Sequence, residues 1–408
     1  MNTEIKKFLD ENIKKTVKVS KESNGTLLGL PCPYTTPCVS DGYQEIYYWD
    51  TYFTNAGLLL WDNTEYVKNN IENMFYLVEK YGFMPNGNRT YYLNRSQPPF
   101  LSQMVRDLYD VTADRVWLAR AYEVLKKEYS FWQTKRITPT GLNGNTGYDI
   151  VEDVLESNYK YFLRRIGQPA KSEPTREDLL YAYMGGVSVY ESGWDCNSRV
   201  KDRGHLFDMA DLNSLLFGME ENMRFFAAEL KNGEDAAWEK RAAERKEKMQ
   251  FLWNTERGLF MDRNFETGEF SDYASAASFY PMYVGLASKE QARETMRLFD
   301  DLNLKYGISA GESKTQWNCQ WDYPNVWAPI QFIMYKALKK YGYENEAKTV
   351  ARKYVDTVES NFKKTANFWE KYDGNTGERA GAEYKAEPML GWTAGVYIFF
   401  NHELGLLN

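Results

Sequence analysis

Apolar residues recur along most of the chain at the three-and-four spacing of an amphipathic helix. In residues 65–81 (EYVKNNIENMFYLVEKY), Val67, Ile71, Met74, Phe75, Leu77 and Val78 share one broad face, which predicts a helix with one side in the core. Residues 211–230 continue the pattern through Leu212, Leu215, Leu216, Met219 and Met223, with Asp211 as the N-cap. The same spacing predicts helices over 113–129, 234–254, 288–301, 326–341 and 344–363. Alternation with period two is scarce. Its best case is 258–273 (GLFMDRNFETGEFSDY), a hairpin candidate with a Thr-Gly turn. The expected class is all-α.

Between these helices lie stretches rich in Gly, Pro, Asn and aromatic residues, at 40–53, 84–100, 184–199, 308–329 and 367–395. They read as loops full of polar side chains that are costly to bury without partners. Loops held on a rigid helical scaffold are where sites gather. The helix–loop–helix units recur at spacings that suit a ring of helix pairs. No low-complexity linker divides the chain, so residues 1–408 are expected to form one domain, with 1–35 as an N-terminal arm.

The formal net charge of −7 comes without a clustered basic stripe, which argues against nucleic acid and anionic membrane surfaces as partners. No stretch approaches the roughly 18 apolar residues of a membrane span. The first residues, MNTEIKKFLDENIKKTVKV, hold no apolar core of signal-peptide type. Cys32, Cys38, Cys196 and Cys319 contain no CxxC pair and do not read as a disulfide framework, so a reduced, cytoplasmic setting is expected. With only His205 and His402, a histidine-based triad or zinc site lacks material. The chemistry must rest on carboxylates, Arg, Lys, Tyr or Cys, and no cofactor or metal is called for. The 31 Tyr and 12 Trp supply flat faces with polar tips, which suit sugars as well as ordinary packing.

Five loop segments combine a carboxylate with Trp or Tyr: QEIYYWDTYF (44–53), MPNGNRTYYLNRSQPPF (84–100), YESGWDCNSR (190–199), QWDYPNVWAP (320–329) and FWEKYDGNTGERAGAEYKAEPMLGWTAG (368–395). QWDYPNVWAP matches the second trehalase signature, Q-W-D-x-P-x-[GAV]-W-[PAS]-P, at every fixed position. PNGNRTYYLNRSQPP, ESGWD and EKYD…GAEY…GWT also resemble trehalase segments, in the family's order, from residue 40 to 395. The resemblance implies an (α/α)6 barrel, a toroid of helix pairs with long active-site loops. The first signature, P-G-G-R-F-x-E-x-Y-x-W-D-x-Y, matches only in its second half; Gly42 stands where the family's sugar-contacting Arg would be. In KSEPTRED, Lys171 replaces an Arg, and a lysine lacks the planar donor fork of arginine.

That resemblance implies an inverting glycoside hydrolase of α,α-trehalose with a small saccharide as its partner; the sequence does not set an oligomeric state. Asp195 matches the general acid and Glu370 the general base, with Glu383 as the competing candidate for the base. Tyr43, Trp49, Asp50, Asn86, Arg95, Gln97, Glu173, Trp321, Trp327 and Glu383 match substrate-binding positions. Each has a plainer reading: an Asp in a Gly-Trp-Asp turn caps loops, Glu370-Lys371 reads as a surface pair, and a lone Trp is usually core. Arg199 is a candidate partner for a site carboxylate. Cys196 reads as a buried structural thiol, and GNTGERAGAE as a mobile loop over the sugar. The Gly42 departure leaves another small α-glucoside or α-mannoside, of glucosylglycerate type, as an alternative substrate. A non-catalytic sugar-binding barrel is the remaining alternative.

Overall fold

The computed structural model describes residues 1–39, 42–313 and 319–407. In chain order its helices are α1 (Thr3–Asn12), α2 (Tyr48–Leu59), α3 (Thr64–Tyr81), α4 (Leu101–Thr112), α5 (Arg115–Lys135), α6 (Leu155–Arg165) and α7 (Arg176–Glu191). They continue with α8 (Ala210–Leu230), α9 (Asp235–Lys248), α10 (Tyr280–Val284), α11 (Lys289–Leu302), α12 (Ala328–Lys340), α13 (Glu344–Thr365) and α14 (Trp392–Glu403).

Each of α2, α4, α8, α10, α12 and α14 packs on the next, and α14 returns to α2, which closes a ring. Outside it, α3 covers α2 and α4, α5 covers α4 and α8, α9 lies on α8, and α13 lies on α12 and α14. Phe8 of α1 meets Phe362 of α13 edge-on. This is the expected (α/α)6 barrel. Among the described residues, no helix is long and apolar enough to cross a membrane.

Position in the barrel explains which helices show a pattern. α11 buries Ala292, Thr295, Leu298, Phe299 and Leu302 at helical spacing and opens with a Ser288–Gln291 capping box. α2, surrounded on all sides, buries Tyr48, Trp49, Thr51, Tyr52, Phe53, Asn55, Ala56, Gly57 and Leu58, so it carries no single apolar stripe.

Two local expectations are corrected. Residues 258–273 do not pair as one hairpin: Leu259–Phe260 pairs with Trp253–Asn254, and Arg263–Asn264 with Phe207–Asp208. The Thr267-Gly268 turn exists, because Asn264 Oδ1 accepts from the Glu266 and Thr267 amides. It closes a shorter hairpin over 262–271, in which the Asn264 amide donates to the Glu269 carbonyl and the Ser271 amide to the Asp262 carbonyl about the Arg263–Phe270 bridge. Asp211 does not cap α8; the cap position is Met209, and the Asp211 carboxylate is taken by Arg199.

The ring closes where α14 crosses α2, glycine against glycine. A Cβ on Gly57 would lie 2.5 Å from Gly395 Cα, and one on Gly395 would run into the carbonyl oxygen of Phe53. Overpacking a rigid core costs about 1–3 kcal/mol. Gly395→Ala is therefore expected to lower the unfolding free energy by about 3 kcal/mol, read as a fall in the urea midpoint. An unchanged midpoint would mean the crossing has slack.

Candidate active site

A cavity of about 250 Å³ opens at the mouth where α2, α12 and α14 begin. Tyr43, Trp49, Asp50, Asn86, Arg95, Gln97, Asp195, Trp321, Trp327 and Glu370 all line it. Trp49 and Asp50 come from the first turn of α2, Trp327 immediately precedes α12, and Trp392 begins α14. Residues spread over more than 300 positions of sequence thus converge because the inner helices present the same end to the mouth.

Aromatic stacking sets the floor. Trp321 and Trp327 stack at 4.1 Å between centroids, and Trp49 and Trp194 each lie 5.3 Å from Trp321. Behind it, buried ion pairs fasten the loops to one another. Glu191 receives Arg136 Nε at 2.8 Å, the Tyr148 hydroxyl at 2.6 Å and the Ser96 amide at 2.7 Å, joining ESGWD to RSQPP. Asp322 of QWD accepts from the Ser198 amide at 2.7 Å.

Arg199 does not serve a site carboxylate. It forks onto Asp211 and Asp262 at 2.8–3.0 Å, fully buried, and anchors the loop that carries Asp195 to α8. Cys196 is not a free thiol either: it is disulfide-bonded to Cys319, with the two Cα atoms 5.2 Å apart. That bond ties the residue after Asp195 to the residue before the QWD motif. Residues 314–318, just before Cys319, lie outside the described residues, as do 40 and 41 of the 40–53 segment.

The carboxyls facing the cavity are desolvated. Burial raises the Asp195 pKa, opposed by the guanidinium groups of Arg165 and Arg95. Burial also raises Glu370, opposed first by Lys371 and then by the Tyr384 hydroxyl, which donates to Oε1 at 2.7 Å. Asp50 is pushed up to about 8, by burial first and by the Glu370 and Asp195 charges, so at neutral pH its carboxyl is largely protonated and can donate a hydrogen bond.

Two sequence-selected residues lie elsewhere. Glu173 is exposed on the segment after α6, which is held outward by the Lys171 amide on the Tyr159 hydroxyl at 3.0 Å and by Lys171 Nζ on Asp178 at 2.7 Å. Glu383 sits in left-handed backbone, φ 62°, and its carboxylate bonds Arg165 Nε rather than lining the cavity. Gly42 is exposed and also outside the lining. In the glycine-rich segment, Asp373 closes residues 373–377 as a tight turn, and Tyr384 is the residue that reaches the cavity.

The important omission is Arg165. It lies on α6 with Tyr161 one turn before it, and both face the cavity beside Tyr190. Its Nη1 is 3.5 Å from Asp195 Oδ2, so it bridges the proposed acid and Glu383. Nothing in YKYFLRRIG marks one arginine as a site residue.

The family model for trehalase matches residues 1–405. The periplasmic trehalase of Xanthomonas axonopodis pv. citri is 32% identical over 397 residues, covering 91% of this chain and 68% of that one. That of Salmonella newport is 32% identical over 392 residues, with the same coverage. The chain belongs to the trehalase family. As such it is a glycoside hydrolase. The solved neutral trehalase Nth1 from Saccharomyces cerevisiae superposes with a TM-score of 0.77 at 27% identity, over 91% of this chain and 73% of that one. A mannosylglycerate hydrolase from Thermus thermophilus shares the fold, with a TM-score of 0.67 at 17% identity over 98% of this chain and 99% of that one.

The cytoplasmic expectation is overturned by these relatives, which are named periplasmic trehalases. The Cys196–Cys319 bond agrees with that correction, since disulfides persist in oxidising compartments.

Arg165 should leave a mark on the pH profile. Its charge holds the Asp195 carboxyl down against burial, so Arg165→Gln lets that pKa climb further. With Asp195 in the acid role that the resemblance implies, a higher pKa keeps it protonated to higher pH, and the alkaline limb of kcat/KM is expected to move upward. The profile of the variant checks this; a limb that stays put or moves down would remove Arg165 from the acid's environment.

Proposed function

We propose that the enzyme hydrolyses α,α-trehalose to two glucose molecules with inversion, using Asp195 as general acid and Glu370 as general base. The observation that carries this reading is that these two carboxyls, Asp195 partly exposed and Glu370 buried, line one cavity with unlike surroundings. Asp195 faces the Arg165 guanidinium of α6 and feels that of Arg95, while desolvation raises its pKa, which favours the protonated form that gives its proton to the glycosidic oxygen. Glu370 has its Oε1 fixed by Tyr384, while its buried Oε2 accepts no hydrogen bond from the described residues and stands 3.9 Å from Lys371 Nζ; in this reading the carboxylate takes a proton from the attacking water. Glu383, spent on Arg165, is the weaker candidate for the base.

The tryptophan floor holds the ring face, and Asp50, Asn86 and Gln97 meet hydroxyls. In this reading residues 1–408 act as one catalytic unit. A second substrate class, another small α-glucoside or α-mannoside, is favoured by one observation: both departures from the family pattern, Gly42 and Lys171, are exposed and lie outside the cavity lining, where Arg165 supplies charge.

The test is glucose release from trehalose beside a panel of α-glucosides and α-mannosides. Asp195→Asn and Glu370→Gln are each expected to cut kcat by about 10²–10⁴-fold, with the melting transition retained. Proton NMR of the first turnovers should show α- and β-glucose in equal amounts; α-glucose alone means retention and rules out Glu370 as the base of an inverting reaction. Cleavage of a different α-glycoside with trehalose inert would redirect the substrate. A wholly inert panel would leave the sugar-binding reading.

A further inference from the structure

The residue after the proposed base is a lysine without any exposure. Lys371 is 0% accessible, in the short strand Lys371–Asp373 that pairs with Asn325–Trp327. Its ammonium is caged. Nζ donates to Gln320 Oε1 at 2.8 Å, lies 3.5 Å from the centroid of the Tyr384 ring and 5.0 Å from that of Trp327, and stands 3.9 Å from Glu370 Oε2. Tyr384, whose ring covers the ammonium, donates its hydroxyl to the other carboxylate oxygen of Glu370. Base, tyrosine, lysine and the glutamine of QWD thus form one connected cluster, and Lys371 itself does not line the cavity.

A buried ammonium is expensive unless opposed by charge or by acceptors and aromatic faces. Among the described residues this one has a single hydrogen-bond acceptor in range of its three protons, two ring faces and the Glu370 carboxylate. Packing alone would be served better by a methionine. A lysine here makes sense as a fixed positive charge directed at the carboxylate beside it.

We propose that Lys371 is a positioning residue for hydrolysis, acting through Glu370: its caged ammonium keeps the base ionised so that it can accept a proton from water. This rests on the reading of Glu370 as the general base. The other groups facing Glu370 are the Tyr384 and Tyr43 hydroxyls, the Asp50 carboxyl from α2, and Glu387, Arg379 and Lys371 from its own loop region. Asp195, Glu383 and Arg165 also act on Lys371. Among them Lys371 is the main influence that opposes the burial of Glu370, while its own pKa is brought down to about 8 by burial. The ammonium is therefore still charged across the acidic limb, where the base ionises.

The sign is fixed by this arrangement. Removing the charge raises the Glu370 pKa, so the base is ionised only at higher pH, and the acidic limb of kcat moves upward. An opposite charge within about 4–6 Å shifts a carboxylate by about 1–3 units. We expect a shift of about one pH unit for Lys371→Met and for Lys371→Gln. At the wild-type midpoint each neutral variant then runs at about a tenth of its own plateau rate. Lys371→Arg keeps the charge and should keep the wild-type limb, whatever its plateau.

The experiment measures kcat and KM for the glycoside the wild type cleaves, from pH 4 to 9, on the purified full chain with thermal melts alongside. Methionine and glutamine differ in shape and hydrogen bonding, so failure of one to fold leaves the other to report. An acidic limb that follows charge across the series supports the proposal. Neutral variants that keep the wild-type limb while losing rate equally at every pH overturn it, and leave a packing role. If instead Glu370→Gln retains wild-type kcat, the assignment of the base has failed, which is a separate outcome.

Discussion

The approach of α14 to α2 is the constraint on which the mouth of the barrel depends. The two helices bring the late and early parts of the chain together and allow no side chain at Gly57 or Gly395. Trp49 and Asp50 ride on the first turn of one, Trp392 on the first turn of the other. Glu370 accordingly faces Asp50 across a seam between segments 320 residues apart in sequence. Loosening that seam would displace both sides of the cavity together.

Around the mouth, charge is sorted by depth. Pairs with full complements of hydrogen bonds, Glu191 with Arg136 and Arg199 with Asp211 and Asp262, lie behind the cavity and serve as fasteners. The carboxyls that face it, Asp50, Asp195 and Glu370, all have raised pKa values, and Lys371, packed behind Glu370, has a lowered one. Low dielectric is costly for each of them. It also makes their protonation responsive to one another, which proton transfer in two directions requires.

What the sequence revealed follows the same geometry. Outer helices such as α3, α11 and α13 keep a wet face, so their apolar stripes stood out. α2 and α14 are buried nearly all round, and in sequence their first turns look like aromatic-rich loop because no stripe remains. Signature segments gave most of the lining, since sugar contact demands particular side chains at fixed offsets. Glu173 and Glu383 lie outside the lining: the motif says nothing of where the backbone after α6 turns, and Glu383 stands in left-handed backbone with its carboxylate on Arg165. Glu370-Lys371 resembled an ordinary surface pair; only the pairing of Lys371 with Trp327 across two short strands shows it to be interior. The disulfide was out of reach, its partners being separated by 123 residues without a spacing motif.

That disulfide has a meaning for the unfolded chain as well as for the folded one. Closing a loop of 123 residues removes conformational freedom from the denatured ensemble worth about 5 kcal/mol in the chain-entropy account. The enclosed segment runs from the end of ESGWD to the start of QWD, and so contains α8 to α11. Even a denatured molecule therefore keeps two signature loops within a few ångströms of each other. Refolding from the oxidised state begins with part of the search for the mouth already complete.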